Sequence, residues 1–591
     1  MNSGRDPVLL TQTECAYASN VTFRNGFPTT RQKWLPMIVK NGGGIGGLAG
    51  FQNGNFQGAY VYDINDYAQH IMVMVAGTLY RLDVTGSITV TGVFNDGKSV
   101  ATAPQCWFAQ PDVYLVIQDG VSTPIVMQGL GTIRRAGANE VPVGQAMAYG
   151  QGRLWLAQGR QVLAGDILGG PTSVISFTEQ TYISEAAFFG VPLSSGNVVG
   201  LVFIEQGDTQ TGQGELLLFA RKAAYSIQAS VPREATQTQP GWQGTPGMQK
   251  VALTNIGGTG WRNLIGVNQD VFFRSKDGWR TFRTARNEAY GWGGAPISNE
   301  MLRILYTDSL QLLDYASSCV YKNRVFLTCT PSPYPKNTTG GGAIFAQLTV
   351  LDLQVISSVI NRSNLAYEFS PYFSQRGSPA YDGVWLPPPG YEILQVLQYE
   401  FAREERMMVF LYNTSTKKTE IWELVDYMDF DNQNTPVTSQ IETKTYDFKL
   451  PDALKELRRA DLYWTATESP VVLKVEFRSD GFPDWVDWAD CTVPGHQQPC
   501  NVDPSICQSP GCPVQGYWFP WRLSTPPNTC DPNTNKLIRV GYHFQLRITW
   551  TGAATLLMVM LHAEELVEDP NGGCCGVPTG ATSPGIGPPP S

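Results

Sequence analysis

Apolar and polar positions along this chain alternate in short runs, and the runs come in pairs joined by tight turns. One pair is 71–75 with 79–82, joined at Ala76-Gly77; another is 113–117 with 125–126, joined through Asp119-Gly120. A Gly-Gln-Gly turn separates 146–149 from Leu154-Trp155-Leu156, and the unit returns at 198–204 with 216–219 and at 264–267 with 271–273. Further copies are 325–327 with 348–353 and 407–412 with 419–424. Alternation bounded by glycine-containing turns predicts β-hairpins. Their recurrence every ~35 to 60 residues fits four-stranded propeller blades better than a sandwich, and implies about six to eight blades. The stretches 208–214 and 331–342 interrupt the pattern and read as surface loops.

After about Thr438 the long period is lost. Residues 441–450 alternate, Leu462-Tyr463-Trp464 and 471–477 follow as strands, and 544–550 with 556–561 return after a large Cys- and Pro-rich insertion. Strands without a super-period predict an antiparallel sandwich. The expected fold class is therefore all-β: a propeller with an N-terminal arm and a C-terminal β-sandwich-like domain. The expected boundaries are 1–57 for a Gly- and Asn-rich arm, 58–437 for the propeller, 438–569 for the sandwich with its insertion at 490–535, and 570–591 for a flexible tail of Gly, Pro, Thr and Ser.

Composition sharpens this picture. Charged residues are 16% of the 591, below the roughly 25% of an average soluble protein. The 60 Gly and 40 Pro supply turns, and 26 Phe, 25 Tyr and 15 Trp supply strand formers. A net charge of -9 argues against a chain-wide electrostatic grip on nucleic acid, although DNA passing through an acidic lumen is compatible with it. The first twenty residues lack the basic and apolar segments of a signal peptide, and no apolar run approaches the ~18 residues of a membrane span. The expectation is a soluble protein made in a cytosol, with no membrane anchor. Of the 11 cysteines, Cys15, Cys106, Cys319 and Cys329 are scattered and read as core hydrophobes. Cys491, Cys500, Cys507, Cys512 and Cys530 crowd the insertion without the spacing of a zinc site, which leaves late disulfides open there.

Several strings imitate chemistry. Residues 92–99 spell a phosphate-loop motif, yet Pro104 and a strand follow where a helix is required, so Asn95-Asp96-Gly97 reads as a hairpin turn. Gly42, Gly44 and Gly47 fit G-x-G-x-x-G, but the continuation Leu48-Ala49-Gly50 predicts no good helix and no βαβ unit. Residues 273–282 resemble the Asp-box turn of sialidase propellers, with Gly278 one position early; such boxes are structural turns. The only histidines are His70, His496, His543 and His562, and no G-x-S-x-G or H-E-x-x-H occurs. His543 and His562 read as core or rim residues. No catalytic, cofactor-binding or metal-binding residue is expected, and the protein is expected not to be an enzyme.

Three stretches resemble the tail nozzle and tail tubular proteins of short-tailed bacteriophages. The first is Asn20-Val21-Thr22-Phe23-Arg24-Asn25-Gly26-Phe27-Pro28-Thr29-Thr30-Arg31, which departs from the family's phrase at Gln32-Lys33. The second is 256–282, with its Val271-Phe272-Phe273 strand and Asp277-Gly278-Trp279-Arg280 turn. The third runs from Val384-Trp385 through 407–412 and Ile421-Trp422 to strands near Leu546 and Leu557. The resemblance implies a homo-hexameric ring at the distal end of the tail, assembled in the host cytoplasm. Its implied partners are an adaptor or hub ring, tail fibres, and DNA crossing the lumen without sequence-specific binding. Asn20, Arg24 and Arg31 are the candidate inter-subunit contacts, the guanidinium being suited to carboxylates or carbonyls of a neighbouring ring. The competing readings are a carbohydrate-binding or carbohydrate-cleaving propeller, prompted by aromatic content including Trp485 and Trp488, and another head-to-tail connector ring.

Overall fold

A computed structural model describes residues 6–566 except 11–13, 25–26, 66–67, 168–172, 179–187, 206–212, 231–236, 239–240, 243–247, 268, 289–295, 332–342, 354–380, 426–435, 466–469, 481, 494–518 and 532–536. The chain forms two compact units, one from 32–431 and the other from 1–31 with 432–591. The first is a β-propeller, and among the described residues its seven blades coincide with the seven paired runs of the sequence.

Blade 1 comprises Phe56–Asn65, Ala68–Val75, Thr78–Val84 and Ile88–Phe94. Blade 2 comprises Trp107–Ala109, Tyr114–Gln118, Ile125–Gln128 and Thr132–Arg135; blade 3, Met147–Gly150, Arg153–Gln158, Gln161–Ala164 and Phe188–Gly190. Blade 4 comprises Val198–Glu205, Gln213–Ala220, Ala223–Ile227 and Gln249–Thr254. Blade 5 has three strands, Leu264–Val267, Asp270–Arg274 and Trp279–Thr281, and then the helix Phe282–Glu288. Blade 6 comprises Ser318–Tyr321, Arg324–Cys329, Gln347–Asp352 and Tyr381–Trp385. Blade 7 takes Tyr391–Phe401, Glu404–Asn413 and Lys418–Val425 from the late chain and borrows Lys33–Pro36 as its fourth strand. That borrowed strand joins the beginning of the unit to its end, so opening the ring requires breaking a ladder.

The middle strands read as continuous apolar runs because both faces are covered: Tyr114–Gln118 and Arg324–Cys329 are buried at every position. Phe56 of blade 1 meets Phe410 of blade 7 at 5.1 Å, and Phe219 of blade 4 meets Phe273 of blade 5 at 4.8 Å. Where blades 7 and 1 meet, the buried Gln395 side chain accepts from the Ala59 amide at 2.9 Å and donates to its carbonyl at 2.8 Å. One amide side chain thereby satisfies both backbone groups of a strand residue.

In the second unit one antiparallel sheet runs Cys15–Ser19, Thr438–Thr443, Phe544–Thr551, Val471–Ser479, Val486–Val493. In the other, Lys455–Trp464 pairs with Leu556–Glu565 on one side and with Phe519–Leu523 and Val540–Gly541 on the other. Strict alternation buries Val471, Leu473, Val475 and Phe477 while Val472, Lys474, Glu476 and Arg478 face outward. Trp464 and Trp550 meet edge to face at 5.5 Å in the core. The Trp550 indole donates to the Thr30 hydroxyl at 2.9 Å, and that hydroxyl donates to the Gly552 carbonyl at 2.8 Å.

Three expectations change here. The first 57 residues are not a free arm: Cys15–Ser19 is a sandwich strand, and Lys33–Pro36 and Val39–Gly44 belong to the propeller. The glycine-rich stretch is followed by a helix after all, Gly47–Asn53, because Phe51 is buried against Tyr80, and tertiary packing outweighs poor propensity. Its glycines serve close approach of strands: a Cβ on Gly44 would lie 2.1 Å from the Gly92 carbonyl oxygen, and Val39–Gly44 runs parallel to Ile88–Phe94. Finally, Asn95-Asp96-Gly97 connects blade 1 to blade 2 and is not a turn within a hairpin. Residues 208–212, 332–342 and the tail from 570 lie outside the described residues.

Candidate functional site

The three proposed contact residues separate by environment. Asn20 is buried with a left-handed backbone (φ 54°), donating its side-chain amide to the Thr438 carbonyl at 2.8 Å. Its Oδ1 accepts from Arg31 Nε at 2.8 Å, and Arg31 is 3% exposed, with burial pulling its pKa down. This corrects the reading of Asn20 and Arg31 as outward contacts: both hold the sandwich to its own N-terminal segment. Arg24 is half-buried, and its amide donates to the Thr22 hydroxyl at 3.4 Å.

The motif-like strings are structural. Asn95 Oδ1 accepts from the Gly97 amide at 2.8 Å, and Asp96 takes two charge-assisted bonds from Arg135, at 2.9 and 2.6 Å. That pairing, its main cause, holds the Asp96 carboxyl down at about 2. In the Asp-box-like turn the Ser275 amide donates to the Gly278 carbonyl at 2.8 Å, Asp277 receives Ser275 Oγ and Arg280, and Trp279 is buried. The turn closes blade 5 and presents no chemistry.

Several buried charges of the propeller pair with one another. Arg324 reaches Asp382 at 3.0 Å and Asp352 at 3.6 Å, both carboxylates fully buried, and Arg274 lies 3.4 Å from Asp308. The short turn Trp261–Asn263 at the entrance of blade 5 sends Arg262 to the Gln57 carbonyl of blade 1 at 2.6 Å. The Trp261 ring lies 6.3 Å from Phe108 of blade 2, which stacks on Tyr60 at 5.8 Å. Trp261 also packs against the blade 3 and blade 4 core. Only a group at the axis reaches blades so far apart. Nothing in the sequence marks Trp261-Arg262 for this position.

His70 is bonded to Asp83 at 2.8 Å and His562 to Asp461 at 3.0 Å. Cys15, Cys106, Cys319 and Cys329 are buried as expected, and burial pushes their thiols up. Cys491 and Cys530 are half-buried, while Cys500, Cys507, Cys512, Cys574, Cys575 and His496 lie outside the described residues. Among the described residues no group of three or more His, Cys, Asp or Glu could hold a metal ion.

A cleft of about 460 Å³ opens at the strand ends of the sandwich, where Ser479 finishes one strand and Phe544 begins its neighbour. Pro7, Arg478, Ser479, Asp480, Phe482 and His543 line it. Arg478 is held by Gln545 Oε1 at 2.9 and 2.6 Å and lies 4.4 Å above the Trp485 ring, which Arg547 also approaches at 4.3 Å. Asp480 Oδ1 accepts from the amides of Tyr542 and His543, both at 2.7 Å. The sequence read His543 as a core or rim residue and did not single out Arg478, Ser479 or Asp480. Their only signal was the abrupt Arg-Ser-Asp-Gly ending of an alternating strand.

No family model matches the chain, and no curated protein matches it. Among solved structures, the BBS1N domain in complex with ARL6DN is similar at 9% identity and a TM-score of 0.34, covering 68% of this chain and 99% of its own. YCF48 bound to D1 peptide is similar at 8% identity and a TM-score of 0.35, covering 68% and 98%. A glycoside hydrolase is similar at 8% identity and a TM-score of 0.21, covering 87% and 99%. Likeness of this strength carries no site from one protein to another; strand order alone makes this chain a propeller.

Proposed function

We propose that this chain is a structural subunit of a short phage tail, forming the distal nozzle ring. The observation that carries the reading is where the three family-like phrases fall. Residues 20–31 fasten the sandwich to its N-terminal segment through Asn20, Thr30 and Arg31. Residues 256–282 build blade 5 with its Trp261–Arg262 hub, and the phrase from Val384 to Trp422 leads into the blade that closes the ring. Phrases located at joints support a load-bearing part, because a joint is what a mechanical role requires to be fixed. DNA would pass through a lumen shared by several copies, not through one propeller, and a homo-hexamer between an adaptor or hub ring and the fibres supplies such a lumen.

Immunogold electron microscopy of short-tailed virions, with an antibody to this chain, tests the placement. Label at the tail end distal to the head is expected; virions that carry none overturn it. Sedimentation of the purified chain tests the ring, a hexamer being expected. Arg24→Glu is the informative contact variant and should weaken assembly. Arg31→Glu would unfold the sandwich and leave the contact untested.

A further inference from the structure

We propose that the cleft at the strand ends of the sandwich binds a neutral pyranose sugar. Its volume, about 460 Å³, lies within the roughly 300–1,000 Å³ of small-molecule sites. The site is preorganised. Gln545, 3% exposed, fixes Arg478 through two bonds, a further bond of that guanidinium goes to the Pro483 carbonyl at 3.3 Å, and two backbone amides fix Asp480 through Oδ1. Groups held this firmly cost little further ordering when a ligand arrives.

What remains available defines the ligand. The Ser479 hydroxyl, the His543 ring and the second oxygen of Asp480 make no hydrogen bond to other described residues, and all three residues line the cleft. They offer donors and acceptors around one cleft, as the hydroxyls of a sugar ring require. Phe482 and Pro483 supply an apolar wall for the C–H face of such a ring. Charge selects against acids: Asp6 and Asp480 face the space, while the Arg478 bonds are directed at Gln545 and Pro483 and its face at Trp485. The two carboxylates outnumber the one guanidinium of the lining, so a phosphate or uronate would meet net negative charge. A peptide strand fits less well, because the cleft caps strand ends and offers no ladder of open backbone groups.

The proposal is independent of the tail reading, and either can fail alone. The test uses the full chain in calorimetric and saturation-transfer NMR titrations. The probes are glucose, galactose, mannose, rhamnose and N-acetylglucosamine, with glucuronic acid and N-acetylneuraminic acid as charged comparisons. At least one neutral sugar should bind saturably with Kd of about 1 mM or tighter, and both acids should bind more weakly. His543→Ala and Phe482→Ala should each weaken binding about five- to tenfold, with the melting temperature unchanged. Val121→Ser, at an exposed propeller position, should leave binding as it was. Absence of saturable binding by every neutral sugar, preference for an acid, or undiminished binding by both cleft variants overturns the proposal.

Discussion

The propeller and the sandwich solve the same problem, holding many strands in one register, by different physical means. In the propeller each blade covers the faces of its neighbours, so middle strands such as Tyr114–Gln118 are buried throughout and stability is distributed around the ring. Cross-ring elements then tie it: the borrowed strand Lys33–Pro36, the Gln395 bridge and the Arg262 spoke, while the Arg324 charge cluster ties the strands of blade 6. The sandwich buries one face per strand and concentrates its core around Trp464 and Trp550, sealed by Thr30 from the N-terminal segment. Distributed packing leaves few places for a ligand. The one-sided sheets of the sandwich leave their strand ends open, and there the cleft forms.

The largest expected effect tests the concentrated core. Trp550→Ala removes a fully buried ring and should cost about 3–5 kcal/mol, moving the sandwich transition in urea while the propeller transition stays. A common shift of both transitions would break the contrast. In the propeller, Arg324→Leu leaves Asp352 and Asp382 buried without their guanidinium and should also cost about 3–5 kcal/mol. Adding Asp382→Asn should recover part of the loss, which a purely steric role for Arg324 would not allow.

Smaller effects sharpen the picture. Gln395→Leu strands the Ala59 amide and carbonyl and should cost about 1–3 kcal/mol, raising hydrogen exchange where blades 7 and 1 meet. Asp96 is a carboxyl whose folded pKa, about 2, lies below its ordinary 3.8. Its contribution is therefore present above about 4 and is lost as pH falls toward 2. The stability difference between the protein and Asp96→Asn should shrink over that window in acid titrations followed by circular dichroism. Smallest is the turn at Ala402 (φ 52°) and Arg403 (φ 66°), which places two non-glycine residues in the left-handed region. Ala402→Asn with Arg403→Gly suits such a two-residue hairpin and should raise stability by about 0.5–1 kcal/mol in thermal melts.

Much of the propeller was legible because its hairpins are local. Ala76-Gly77 and Gln151-Gly152 are tight turns between apolar runs, and turn chemistry of that kind acts over a few residues. The closing strand was not legible. Lys33–Pro36 pairs with a strand nearly 400 residues later, and four residues carry no periodicity that names a partner. The same distance hid Arg31, whose burial comes from its bond to Asn20 and the strands around it. The cleft was hidden because Ser479, Asp480 and His543 come together only through pairing of Val471–Ser479 with Phe544–Thr551 across the whole insertion.

The amino-acid order by itself determined that this is an all-β protein of repeated hairpins followed by a non-repeating sheet region, because alternation and turn residues act locally. Tertiary structure alone decided which segments close each unit, that Trp261 and Arg262 reach several blades, and where free polar groups gather. Those outcomes depend on pairings between distant strands, whose energy comes from burial shared by residues that no local pattern connects.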